Sequence, residues 1–113
     1  MQEWLKKSGR DMPTIKRLNV NTFTTEADND SFIAELTTLW QELDESTVHA
    51  KVSVDINKDR NNPCRMTAFL TIESEQIPEA MEEWAKTVVV PVRNKYKHDN
   101  LMIDADLVTT ISK

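Results

Sequence analysis

Apolar and polar residues alternate most cleanly over residues 47–57, TVHAKVSVDIN. Val48, Ala50, Val52, Val54 and Ile56 fall on one side of an extended chain, with His49, Lys51, Ser53, Asp55 and Asn57 on the other. A period of two predicts a strand with one wet face. Residues 65–73, RMTAFLTIE, repeat the pattern. Met66, Ala68, Leu70 and Ile72 face inward, while Arg65, Thr67, Phe69, Thr71 and Glu73 face outward. Residues 14–24 predict another strand, with Leu18, Val20 and Thr22 on one face and Ile15 on the other. Residues 101–111, LMIDADLVTTI, predict a last strand whose inner face is Leu101, Ile103, Ala105, Leu107 and Ile111. Such alternation favours antiparallel pairing.

Two stretches follow the helical period instead. Over residues 26–45, Phe32, Ile33, Leu36, Leu39, Trp40 and Leu43 recur at three- and four-residue spacing, and Asp28 and Asp30 can cap free amides or oppose the helix dipole. Over residues 77–97, Ile77, Met81, Trp84, Val88 and Val92 form a similar stripe, with acids early and bases late. The β-branched run TVVVPV complicates this segment, since Pro91 removes a backbone donor. A long kinked helix is favoured there over a helix followed by an edge strand. Residues 1–11 predict a short helical arm around Trp4 and Leu5.

The order β-α-β-β-α-β is satisfied economically by an α+β, ferredoxin-like two-layer sandwich: a four-stranded antiparallel sheet with two helices on one face. Residues 12–113 then make a single domain behind the N-terminal arm. Its expected core gathers Leu36, Trp40, Val52, Leu70, Trp84 and Leu107.

Composition narrows the chemistry. The chain of 113 residues holds one glycine, Gly9, so no glycine-rich phosphate loop, dinucleotide fingerprint or serine elbow can be built. One cysteine, Cys64, excludes an internal disulfide and a multi-cysteine zinc site. No apolar run is long enough to span a bilayer, and Lys6 and Lys7 are followed by no secretory core. A cytoplasmic protein away from membranes is expected by default. The net charge of −5 disfavours broad nucleic-acid binding.

Four candidate sites compete with plainer readings of the same residues. DINKDRNNPC, residues 55–64, spaces Asp55, Asn57, Asp59 and Asn61 like the start of a calcium loop. Arg60 and Met66 stand where that loop needs glycine and glutamate, so a hairpin turn is the better reading. Asp104 and Asp106 share a strand face where one hard cation could bridge them, but acids on an outer sheet face are ordinary. A Cys64–His49 dyad would need a particular strand register. Outward aromatics Phe69 and Phe23 allow an RNA-binding sheet, without the basic and aromatic signature that such sheets carry.

What remains is a small acidic, non-enzymatic protein-binding regulator or adaptor, with no cofactor and no metal. The surfaces expected to serve it are an apolar patch of Phe69, Met102 and Val108, and an acidic helix face including Glu35, Glu42 and Glu45. The patch implies a homodimer through the open sheet face or the last strand's edge. The alternatives are an acidic nucleic-acid mimic that blocks a nucleic-acid-binding protein, and a small metal-dependent enzyme using Asp104 and Asp106.

Overall fold

The computed structural model describes residues 12–113, so the arm expected over residues 1–11 lies outside it. Four strands, β1 (Thr14–Phe23), β2 (Lys51–Lys58), β3 (Arg65–Glu73) and β4 (His98–Asp106), form one antiparallel sheet in the order β2-β3-β1-β4. Helix α1 (Glu26–Glu42) and a short turn α2 (Glu45–Val48) connect β1 to β2. Between β3 and β4 run α3 (Glu79–Trp84), a π-helical turn (Ala85–Val89) and α4 (Val90–Arg93). This is the ferredoxin-like arrangement expected from the alternation pattern.

Helix α1 starts where a hydroxyl can satisfy a free amide. Thr25 is the N-cap, and its Oγ1 accepts from the Asp28 amide at 3.1 Å. Asp28 therefore sits in the first turn, where it opposes the dipole. Phe32 and Leu36 are buried from the same stripe, and Trp40 packs beside them. From the sheet come Met66, Ala68, Leu70 and Ile72, the residues that alternation placed inward on β3. Trp40 and Trp84 meet edge to face at 4.8 Å and join the two helical segments. Val52 lies at the margin of this core, whereas Leu107 lies past β4 and outside it.

Two local features depart from the sequence reading, and one expected helix carries an unforeseen turn. Residues 45–48 form a helical turn, not the start of β2, because Asp44 caps it: its Oδ1 accepts from the Ser46 amide and hydroxyl. That turn drops Val48 into the core and ends at His49, whose φ of 61° takes the left-handed position usually given to glycine. The segment around Pro91 is helical throughout, as the favoured long helix required, with a π turn inside it. Widening to a π turn, in which the Val90 amide reaches back to the Ala85 carbonyl, makes room for the proline ring against the preceding turn.

The second departure is the facing of β4. The register pairs Leu18 with Phe69 on one side and Ile103 on the other, and it pairs Arg17 with Leu70 and Asp104. Ile15, Arg17, Asn21 and Phe23 are the buried side of β1. Leu101, Ile103 and Ala105 therefore lie on the open face, opposite to expectation, while Met102, Asp104 and Asp106 lie on the helix side. Phe23, expected outward, is buried against Phe32 at 5.3 Å.

Leu36→Ala removes a buried anchor between α1 and the sheet. A loss of about 2–5 kcal/mol is expected, a large share of the roughly 5–15 kcal/mol that holds such domains together. A urea midpoint within error of the unmodified protein would show that α1 does not hold the layers.

Candidate functional site

Two surfaces carry the chemistry of this fold, one on each side of the sheet. On the open side, Leu18 and Val20 from β1, Phe69 from β3, and Leu101, Ile103 and Ala105 from β4 are cross-strand neighbours. Phe69 is 47% exposed, Leu101 56% and Ile103 47%, and no described residue lies over them. Lys16 and Asp55 border the patch, and a shallow depression of about 380 Å³ opens among Leu18, Phe69, Thr71, Ile103 and Ala105. Phe69 is thus placed as expected. Met102 is on the opposite side of the sheet, and Val108 stands 88% exposed beyond the end of β4. The alternating pattern could not reveal this face alone. The hint was β1, whose apolar residues fall on both parities: Ile15 and Phe23, then Leu18 and Val20.

The acidic face of α1 is partly neutralised. Glu35 takes Lys95 and the Tyr96 hydroxyl, the latter at 2.6 Å, and these hydrogen bonds, Lys95 first, hold its carboxyl below the usual range. Glu26 and Asp30 clasp Lys58 at 2.6 and 2.9 Å. Glu45 accepts from the Val52 amide on the edge of β2. Glu42 stays exposed without a partner among the described residues.

On the helix side the central feature is Arg17, 5% exposed. Its Nε and Nη2 donate to the two Asp104 oxygens at 2.7 and 2.9 Å, and its Nη1 donates to Glu82 at 2.7 Å. The guanidinium is pushed further toward its charged form, chiefly by the Asp104 hydrogen bond, and Asp104 is held below the usual carboxylate range by the same contact. Asp104 is thus fully engaged. A cation shared with Asp106 would have to displace a guanidinium, and no cluster of three metal-ligating side chains occurs among the described residues. Asp59, the centre of the calcium-like loop, spends its Oδ1 on the Asn61 and Asn62 amides, as a turn residue does. His49 and Cys64 lie at opposite ends of the β2–β3 hairpin, which rules out a dyad.

Beside Arg17 the sheet is open to a cleft, because the helical layer leaves the inner side of β4 uncovered. The cleft, about 340 Å³, runs between β1 and β4 and the wall made by α3, the π turn and α4. A cavity of about 50 Å³ behind it reaches Trp84 and Trp40. Nothing in the hydropathy pattern marks this cleft. Its polar β1 residues, Arg17 and Asn19, and Asn21 in the cavity behind, occupy core-side positions that alternation alone treats as surface.

No protein-family model matches the chain, and no curated protein does. Solved structures do. A dimeric ferredoxin-like protein from an uncultured marine organism aligns with a TM-score of 0.61 at 13% identity, over 89% of this chain and 99% of that one. A conserved protein from Methanosarcina mazei Go1 gives 0.58 at 13%, over 81% and 92%. An antibiotic biosynthesis monooxygenase gives 0.55 at 20%, over 84% and 99%. These likenesses establish the ferredoxin-like fold. No helix among the described residues is long and apolar enough to cross a membrane.

The Arg17 cluster sets a pH dependence. Asp104 has a depressed folded-state pKa, so its contribution is present above the unfolded value near pH 4. It is lost as pH falls through the folded value. Asp104→Asn should therefore destabilise the protein at pH 7, by about 1–3 kcal/mol for poorly satisfied buried donors. The gap from the unmodified protein should close as the pH is lowered below about 4. Denaturation at several pH values checks this, and a gap independent of pH would contradict it.

Proposed function

We propose that the chain works as a homodimeric, non-enzymatic protein-binding module, with two copies joined through the open face of the sheet. The contiguous apolar face of Leu18, Val20, Phe69, Leu101, Ile103 and Ala105 carries this reading. Single exposed apolar residues are ordinary, but a patch spanning three adjacent strands is more often an interface. Four strands of about nine residues present a plane on the order of 600 Å². That approaches the roughly 800 Å² per partner of ordinary protein interfaces. A second copy is the occupant of best chemical fit: a two-fold axis presents apolar surface to apolar surface, and each copy's Lys16 and Asp55 supply opposite charges at the rim. Two of the fold neighbours, both from uncultured marine organisms, are themselves described as dimeric.

Dimerisation through this face leaves α1 outermost on both copies, with Glu42 free to meet a basic partner protein. Lys58 and Lys95 interrupt the acids of α1, which supports a protein partner over imitation of a nucleic-acid backbone. Val108 and Ile111, exposed beyond β4, add apolar surface that the described residues leave uncovered.

Phe69→Glu places a charge at the centre of the patch. It should convert a dimer into a monomer in sedimentation velocity while leaving the circular dichroism and the urea midpoint nearly unchanged. An unmodified protein that sediments as a monomer at high concentration would overturn the dimer. Residues 1–11, with Trp4 and Leu5, would then be the occupant to test, by deletion.

A further inference from the structure

The cleft beneath β4 holds hydrogen-bond donors that the fold leaves unused. Most of its polar groups are accounted for. Arg17 spends its Nε and both terminal nitrogens on Asp104 and Glu82. The Asn100 amide donates to the Asn19 and Asn21 carbonyl oxygens at 2.6 and 2.7 Å. Arg93 is the exception. It lines both the cleft and the cavity behind it, its Nε is buried, and it has no acceptor and no carboxylate within ion-pair distance among the described residues. Only the Nε is enclosed; the terminal nitrogens stay open to the cleft, where a ligand can supply the acceptors that the described residues do not. Burial also pulls the Arg93 guanidinium down from its ordinary value, yet an arginine remains charged.

Two further donors flank it. With its side-chain carbonyl held by Asn100, Asn19 keeps an amide NH₂ without an acceptor among the described residues, and Lys86 stands at the rim with no ion-pair partner among them. The walls between them are apolar: Ala85 and Val89 from the π turn and Met102 from β4. The extra residue of a π turn commonly marks a site where a helix is shaped for a ligand. The volume is at the small end of ligand pockets. Among the described residues the charges are two cations without partners, close to Glu82 and Asp104, so a singly charged anion is accommodated better than a phosphate dianion.

We propose that this cleft binds a small organic carboxylate, its oxygens received by Arg93 and the Asn19 amide and its apolar body lying against Val89 and Met102. The site is on the opposite side of the sheet from the proposed dimer face, so each reading stands or falls by its own experiment.

The test uses the full chain and three aryl carboxylates, benzoate, salicylate and phenylpyruvate, with benzamide as the neutral counterpart of benzoate. Binding is read from tryptophan fluorescence, since Trp84 borders the inner cavity, and from the rise in melting temperature that a native-state ligand must cause. At least one acid should bind saturably below about 10 mM, and benzamide should bind at least about tenfold more weakly than benzoate. Arg93→Met should reduce acid binding about tenfold or more while the ligand-free melting temperature holds or rises. Should that variant fail to fold, Asn19→Asp decides: it keeps the acceptor for Asn100 but sets a negative charge against the ligand, and should abolish acid binding. Phe69→Glu should bind the acids as the unmodified protein does. The proposal is overturned by no saturable binding of any of the three acids, by equal binding of benzoate and benzamide, or by unchanged acid binding in a folded Arg93→Met or Asn19→Asp protein.

Discussion

A charged guanidinium on the inner side of a central strand is the constraint around which this domain is arranged. Arg17 is nearly inaccessible, and a buried cation is tolerable only when its donors meet good acceptors. Those acceptors come from two places. Asp104 is the ladder partner of Arg17 on β4, and Glu82 descends from α3. One side chain thereby ties the middle of the sheet to its edge strand and to the helical layer. Replacing the whole group with apolar residues of similar size need not cost stability, whereas removing one partner leaves a buried charge unpaired.

That arrangement decides which way β4 faces. Side chains alternate with period two, so once Asp104 is committed to the helix side, Leu101, Ile103 and Ala105 must take the other. A slip by one residue would bring those apolar groups under the helices but leave Arg17 without its carboxylate. The apolar open face follows from the buried charge. A surface that would be a liability on a solitary sheet becomes available to a second copy.

Much of the fold was legible in the sequence. Alternation placed β2 and β3, with the inward set Met66, Ala68, Leu70 and Ile72 correct in every member. The three- and four-residue stripe placed α1. The misreading of β4 has one physical source. Alternation shows that a strand has an apolar side, and assigning that side to the core assumes that only one face of the sheet is dry. Here β1 carries apolar residues on both parities, and its core parity also carries Arg17, Asn19 and Asn21. The smaller departures, a misplaced strand entry and an unforeseen turn inside an expected helix, came from local chemistry with weak signatures. Asp44 followed by Ser46 makes a helix cap inside what otherwise reads as a strand entry. The VVVPV run hides a π turn because widening a helix at a proline leaves no mark in the hydropathy. Of the candidate sites, Phe69 was visible as an outward aromatic. The Arg93 cleft was not, since it depends on where the helical layer stops.

The same strands border both proposed surfaces, and they serve them by parity. On β1, Leu18 and Val20 belong to the open face, while Arg17 and Asn19 belong to the cleft. On β4, Leu101 and Ile103 belong to the face, while Asn100, Met102 and Asp104 belong to the cleft. Neither strand can shift its register without damaging both surfaces at once, which is a stronger specification than either would supply alone. The glycine-poor composition suits this. Glycine in a strand weakens it and loosens its pairing, and no strand here contains one. Among the described residues β4 still has one neighbour in the sheet, β1, and no helix over its inner side. Its position rests on the β1 ladder and on the Arg17–Asp104 pair, so that pair stabilises the shared wall of both surfaces from within.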